Sequence, residues 1–147
     1  MTACAPGATS TSNVHAEEAP KVSKASGICP QPRKTPQAPA GFLTQKNPHD
    51  NPAGVSAGRE LYHKTAKPFT CETCHGKNGD GKGDPDFEST PPARNFTCAA
   101  TMRGLEDGQL FWVIKNGSPN TAMPAFGNSL PDEAIWKLVA YLRTFAR

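Results

Sequence analysis

Cys71-Glu72-Thr73-Cys74-His75 is a C-x-x-C-H pentapeptide, and its reading decides the fold. Two thiols separated by two residues are spaced to add across the two vinyl groups of one haem, and the adjoining imidazole is then delivered to the iron. A histidine in this role binds in its neutral form, because a protonated ring has no lone pair to offer. Cys71 and Cys74 are thus the expected attachment thiols and His75 the expected proximal ligand. Two other readings compete. Zinc would require a second ligand pair at short spacing, yet Cys4, Cys29 and Cys98 each stand alone. A dithiol redox pair would require a βαβ pattern around the motif, and none is visible.

A sixth ligand is sought downstream. Gly117-Ser118-Pro119-Asn120-Thr121-Ala122-Met123-Pro124-Ala125-Phe126 reads as a loop carrying one methionine. A thioether is a soft ligand suited to haem iron, and the proline after it stiffens the loop that presents it. Methionine is more often core filler, but these neighbours are loop formers, not a helical stripe. Met123 is the expected ligand. Met102, His63 and an open site are the alternatives.

Composition divides the chain. Over 147 residues the hydrophobic fraction is 36%, below the usual 45–50% or so. Residues 1–52 hold eight of the 15 prolines, few large apolar side chains, and five basic against three acidic groups. Such a segment cannot bury enough apolar surface to offset its ordering entropy. Residues 1–51 are therefore expected to form an extended, Pro-rich arm without regular structure. Phe42 and Leu43 are its apolar pair, placed to dock on the domain or on a partner. His15 and His49 fall in it and read as solvated. The 95 residues from 53 onward are few for a core, and a covalently held apolar disc would supply much of what they bury.

The formal charge of +3 comes in no block of one sign, which excludes a nucleic-acid footprint. No run of 18 apolar residues exists to span a membrane. No leader precedes the motif, although haem attachment to C-x-x-C-H resembles an extracytoplasmic process; the expectation is that a leader was cleaved or lies outside this numbering. Met1-Thr2-Ala3-Cys4 resembles the tail of a bacterial lipobox, which makes Cys4 a candidate lipid anchor against a chance match. Cys29 and Cys98 then remain, either as two free thiols or as a disulfide pinning the arm in an oxidising compartment.

Three helices are expected in the domain. The first runs from Pro52–Val55 to about Thr65, with Gly58, Leu61, Tyr62 and Thr65 on one face and His63 off it at the surface. The second runs from about Leu105 to Asn116, with acids near its start and Gly117 as a left-handed stop. The third runs from Asp132 to Phe145, with Ile135, Leu138, Val139, Leu142 and Phe145 in line. Its face, with Tyr141 beside it, should cross the Gly58/Tyr62 face. The four-glycine run from Gly76 to Pro85 lacks the Walker ending and the EF-hand spacing, and reads as a tight loop whose backbone passes close to a haem edge. Residues 85–100 read as a loop, and a carbonyl near Pro91 or Pro92 is the candidate acceptor for the second ring nitrogen of His75.

Together Cys71-Glu72-Thr73-Cys74-His75-Gly76, Asn78-Gly79-Asp80-Gly81, Pro91-Pro92-Ala93-Arg94-Asn95-Phe96, Asn116-Gly117 through Met123-Pro124-Ala125-Phe126, and Ile135-Trp136 through Ala140-Tyr141-Leu142-Arg143 resemble a class I c-type cytochrome of the bacterial single-haem kind. The resemblance covers residues 52–147. It implies an all-α cytochrome c fold around one covalently bound haem c, crossed first and last helices, and iron held by His75 and Met123. The implied function is electron transfer, Fe(III)/Fe(II), between redox protein partners of a respiratory or photosynthetic chain, at the periplasmic or extracytoplasmic face of a membrane. It is not an enzyme in that reading. The long arm and Cys98 depart from the family pattern and favour an alternative, a fixed haem c subunit of a larger membrane-associated oxidoreductase complex. A third reading, an open-site haem enzyme or gas sensor, requires that Met123 not ligate.

Overall fold

The computed structural model describes residues 28–31, 34–87 and 89–146. Cys4 and His15, and with them the lipobox expectation, lie outside the described residues. Six α-helices and no strand occur among the described residues: α1 (Ala40–Leu43), α2 (Pro52–Glu60), α3 (Cys71–His75), α4 (Ala99–Arg103), α5 (Asp107–Asn116) and α6 (Asp132–Thr144). The expected all-α architecture is what is found.

α2 starts where its chemistry says it should. The Asn51 side chain accepts from the Gly54 amide at 2.9 Å and Pro52 occupies the first turn, where its missing N–H costs nothing. Its last turn, Leu61–Thr65, widens into a π-helix closed by Ala66 N–H donating to Leu61 O at 3.1 Å. α6 follows Pro131 with Asp132 and Glu133 in its first turn and Arg143 in its last, matching the helix dipole at both ends. Ile135, Leu138, Val139 and Leu142 are buried as their spacing requires.

α2 and α6 pack face to face, and Gly58 is the reason they can. A Cβ built there would lie 2.0 Å from the carbonyl oxygen of Lys137 and 2.9 Å from Cβ of Tyr141. The two backbones therefore touch with no side chain between them. Tyr62, one turn on, is fully buried against Tyr141 and Phe145, with ring centroids 5.4 and 5.3 Å away. α5 closes the other side of α6, where Phe111 stacks on Trp136 at 4.3 Å. Arg143 joins α6 to the α4–α5 corner by donating to the carbonyls of Met102 and Leu105, each at 2.6 Å, and to Asp107.

Several expectations need correction. Residues 40–43 of the arm form α1, and the described part of the arm packs as a strap along the domain: Phe42 stacks on Phe111 at 6.0 Å, and Asn47 donates to Trp136 O at 2.9 Å. A short apolar pair suffices because α5 presents Gly108, whose missing Cβ would fall 1.7 Å from Phe42 O. His49 is half-buried in the turn before α2 rather than solvated. Part of the expected loop 85–100 is helical from Ala99, and α4 buries Met102 in the core. Of the two readings of Cys29 and Cys98, the disulfide is the one found, across 69 positions of sequence.

Helix propensity alone predicts that Gly58→Ala stabilises the protein by up to about 1 kcal/mol. The α2–α6 contact predicts the opposite, a loss of about 1–3 kcal/mol from overpacking. In a domain of this size that is a fall in melting temperature of roughly 5–15 °C. A rise would mean that the two backbones do not meet at Gly58.

Candidate haem site

α3 is a single turn, entered from Thr70 in extended geometry. Positions i and i+3 share a helix face, so one turn carries Cys71 and Cys74 on the same side. Tyr62 fixes the turn from below, its hydroxyl donating to Gly76 O at 2.7 Å. Burial above all holds the Tyr62 phenol well above its ordinary value of 10.0, so it is a neutral donor at any physiological pH. The same cause pushes the Cys71 thiol up to about 12 and raises that of Cys74. Both cysteines are free among the described residues and are protonated at neutral pH. A dithiol redox pair wants a depressed thiol, so that reading loses its chemistry. No cluster of three metal-ligating side chains occurs among the described residues, which removes the zinc reading there as well.

His75 is buried, and its ring lies against Phe96 at 4.5 Å between centroids with 22° between planes. Nδ1 stands 3.1 Å from the carbonyl oxygen of Arg94. A carbonyl only accepts, so Nδ1 carries a proton, and in the neutral ring Nε2 then keeps its lone pair. The acceptor is thus the Arg94 carbonyl, two residues past Pro92. Arg94 is placed there by the glycine loop, because Phe96 N–H donates to Gly79 O at 2.6 Å and draws residues 93–97 over the motif.

That loop is tight, as expected. Its close approaches are to protein: Gly79 to the Phe145 ring, Gly81 to Ala93 O, Gly83 to the carbonyls of Thr73 and Cys74. None of residues 76–84 lines the cavity described next.

An apolar cavity opens between α3, α5, α6 and the 117–126 loop. Cys71, Cys74, His75 and Met123 all line it, with Leu110, Val113, Ile114, Leu138 and Leu142 among its walls. The methionine loop is braced from within: Ser118 N–H donates to Met123 O at 3.1 Å, Met123 N–H to Thr121 Oγ1 at 3.1 Å, and Thr121 Oγ1 to Ser118 O at 2.7 Å. Gly117, at φ +75°, turns the chain there, and a Cβ would stand 2.9 Å from Met123 O. Neither alternative ligand reaches the cavity. Met102 is core, and His63 is held between the Glu72 carboxylate, to which Nδ1 donates, and the Tyr141 hydroxyl 2.8 Å from Nε2. His63 is therefore a partly buried clamp between α2, α3 and α6, not the surface histidine expected.

Two thiols, a neutral imidazole and a thioether around one apolar cavity suit a haem c and no hydrophilic ligand. The cavity also has polar wall residues that the sequence did not mark. Thr35 comes from the strap; Gln109 is buried on α5, with Oε1 accepting from Ala38 N–H at 2.8 Å and Nε2 donating to Pro36 O at 3.0 Å. A buried glutamine within an apolar helix was the available signal, and without the strap it has no stated purpose.

The chain is similar to known proteins in two comparisons. The family model described as "Cytochrome C oxidase, cbb3-type, subunit III" matches residues 53–142. Among solved structures, a chain of the Kuenenia stuttgartiensis reducing HAO-like protein complex is similar with a TM-score of 0.56 and 21% identity, over 71% of this chain and 49% of that one. At that identity the likeness is one of fold, and the chain covers about half of that neighbour's length. No curated protein matches at a significant level.

Tyr62 makes a pH-dependent contribution whose sign follows from burial. A phenol raised above its unfolded value adds stability that is complete below pH 10.0 and is lost as pH climbs beyond it, because the unfolded chain then ionises first. Stability measured by denaturant unfolding should fall with pH above about 10. Tyr62→Phe should cost about 1 kcal/mol at pH 7, for the lost bond to Gly76 O, and should flatten the alkaline fall. Parallel alkaline slopes in the two proteins would contradict this.

Proposed function

Since the chain belongs to the cytochrome c oxidase, cbb3-type, subunit III family, matching its model over residues 53–142, we propose that it carries single electrons through one haem c held by Cys71, Cys74, His75 and Met123. Family membership makes it a c-type cytochrome, with covalent haem c as its cofactor and electron transfer as its work. The assignment of residues, the count of one haem and the division into an arm (1–51) and a haem domain (52–147) are our reading.

One observation carries it: His75 and Met123 line the same apolar cavity as both free thiols. When bound, haem c supplies a one-electron Fe(III)/Fe(II) couple. Cys71 and Cys74 provide the thioether sulfurs. His75 offers Nε2, held in its tautomer by Arg94 O, and Met123 offers a sulfur from a loop braced by its own hydrogen bonds. With His75 and Met123 both offered to the iron, the chain would leave no open site for a substrate. The leucine, valine and isoleucine walls keep water out, which limits the reorganisation that accompanies a change of charge.

The partners are redox proteins, a donor and an acceptor met at the periplasmic or extracytoplasmic face of a membrane. The Cys29–Cys98 disulfide supports that location, since such bonds persist in oxidising compartments. Membership in a stable oxidoreductase complex is the second reading, favoured by the family's description as an oxidase subunit and by the solved neighbour's origin in a complex. Attachment through a lipidated Cys4 would serve either reading.

Visible spectra of the holoprotein, oxidised and reduced, with and without carbon monoxide, test the ligand set. The wild type should be low-spin and inert to carbon monoxide, and Met123→Ala should bind it. If the wild type binds carbon monoxide readily, the iron is open and the electron-carrier assignment fails in favour of a haem enzyme or gas sensor.

A further inference from the structure

The strap does more than cover the domain, and the residue that matters is Gln31. Its amide makes two long-range bonds: Nε2 donates to Ala93 O at 3.0 Å, and Oε1 accepts from Asn95 N–H at 2.7 Å. These groups belong to the residues on either side of Arg94, whose carbonyl receives the Nδ1 proton of His75. One side chain thus grips the backbone at both flanks of the His75 acceptor. The grip is anchored locally, because Cys29, two residues earlier, is bonded to Cys98, and Asn95 Nδ2 donates to Ile28 O at 3.4 Å. A second tie runs from the Arg94 guanidinium to Thr35 Oγ1 at 3.1 Å.

We infer that Gln31 is a positioning residue for the proximal ligand, setting the strength of the His75 Nδ1–H···O=C bond by holding the Ala93–Asn95 backbone in place. The inference rests on the proposed ligation by His75. A stronger bond at Nδ1 makes the ring a more electron-rich donor at Nε2, which favours Fe(III). The disulfide-pinned arm is then part of what sets the reduction potential, through a side chain that does not itself line the cavity.

The direction of the effect separates this from simple covering. If Gln31 acts through Arg94 O, releasing it weakens the bond and the potential rises. If the strap only keeps water from the haem, releasing it admits water, which stabilises the more highly charged ferric state, and the potential falls.

Gln31→Met keeps the volume of the side chain and removes both hydrogen bonds. Asn47→Ala loosens the strap at Trp136 O without touching residues 93–95. Both are compared with wild-type holoprotein already shown to be low-spin and inert to carbon monoxide; a wild type that fails that check brings down the ligand assignment rather than this inference. Gln31→Met should raise the midpoint potential, move the His75 Nδ1 proton resonance of the ferrous protein upfield, and speed its exchange with solvent about tenfold or more. Asn47→Ala should lower the melting temperature and leave the potential and that resonance in place. An unchanged or lowered potential in Gln31→Met, or an equal shift in both variants, overturns the inference.

Discussion

The contact of the α2 and α6 backbones at Gly58 and Lys137 is the constraint on which the remaining structure depends. With no side chain between them, the two helices form a rigid crossing that places Tyr62 at the centre of the core. Tyr62 then reaches from that crossing to the end of α3 and fixes Gly76. The motif turn is thereby referenced to the core and not merely to its own loop. α6 also supplies Leu138 and Leu142 to the cavity wall, so one helix both sets the frame and lines the site.

From that frame the site is closed in two layers. The glycine loop folds back on α3 and draws residues 93–97 across His75, so the ring meets Arg94 O on one side and Phe96 on its face. The Gly117 turn brings Met123 to the same cavity. The strap then braces the 93–95 segment and α5. It meets the first through Gln31 and the second through Gln109, two amide side chains whose hydrogen-bonding groups are used on backbone. A small domain with few apolar residues gains order in this way from polar contacts that a larger core would not need.

The departures from the sequence reading share a cause. α1 was missed because four residues carry no period, and its helical turn rests on Phe42 meeting Phe111 and on Gly108 yielding space for the chain. His63 was assigned to the surface because its helix position lies off the apolar stripe. Its partners, Glu72 and Tyr141, come from two other elements. The glycine run signals close approach without saying to what, and its approaches to Phe145, Ala93 and the carbonyls of Thr73 and Cys74 were decided by the tertiary fold.

Local chemistry was legible. C-x-x-C-H declares itself because two thiols and an imidazole must lie within one turn to serve one haem. The three long helices declare themselves because burial on one face imposes a period of 3.6 and because caps are local. Met123 stood out by its loop-forming neighbours, and its loop lines the cavity. The identity of the carbonyl facing His75 and the conversion of a Pro-rich arm into a strap were decided in three dimensions. So was the pairing of Gln31 with Asn95, 64 positions away, and of Asn47 with Trp136, 89 away. Single hydrogen bonds between distant residues leave no periodicity or composition to read, and they exist only once the tertiary fold has brought their partners together.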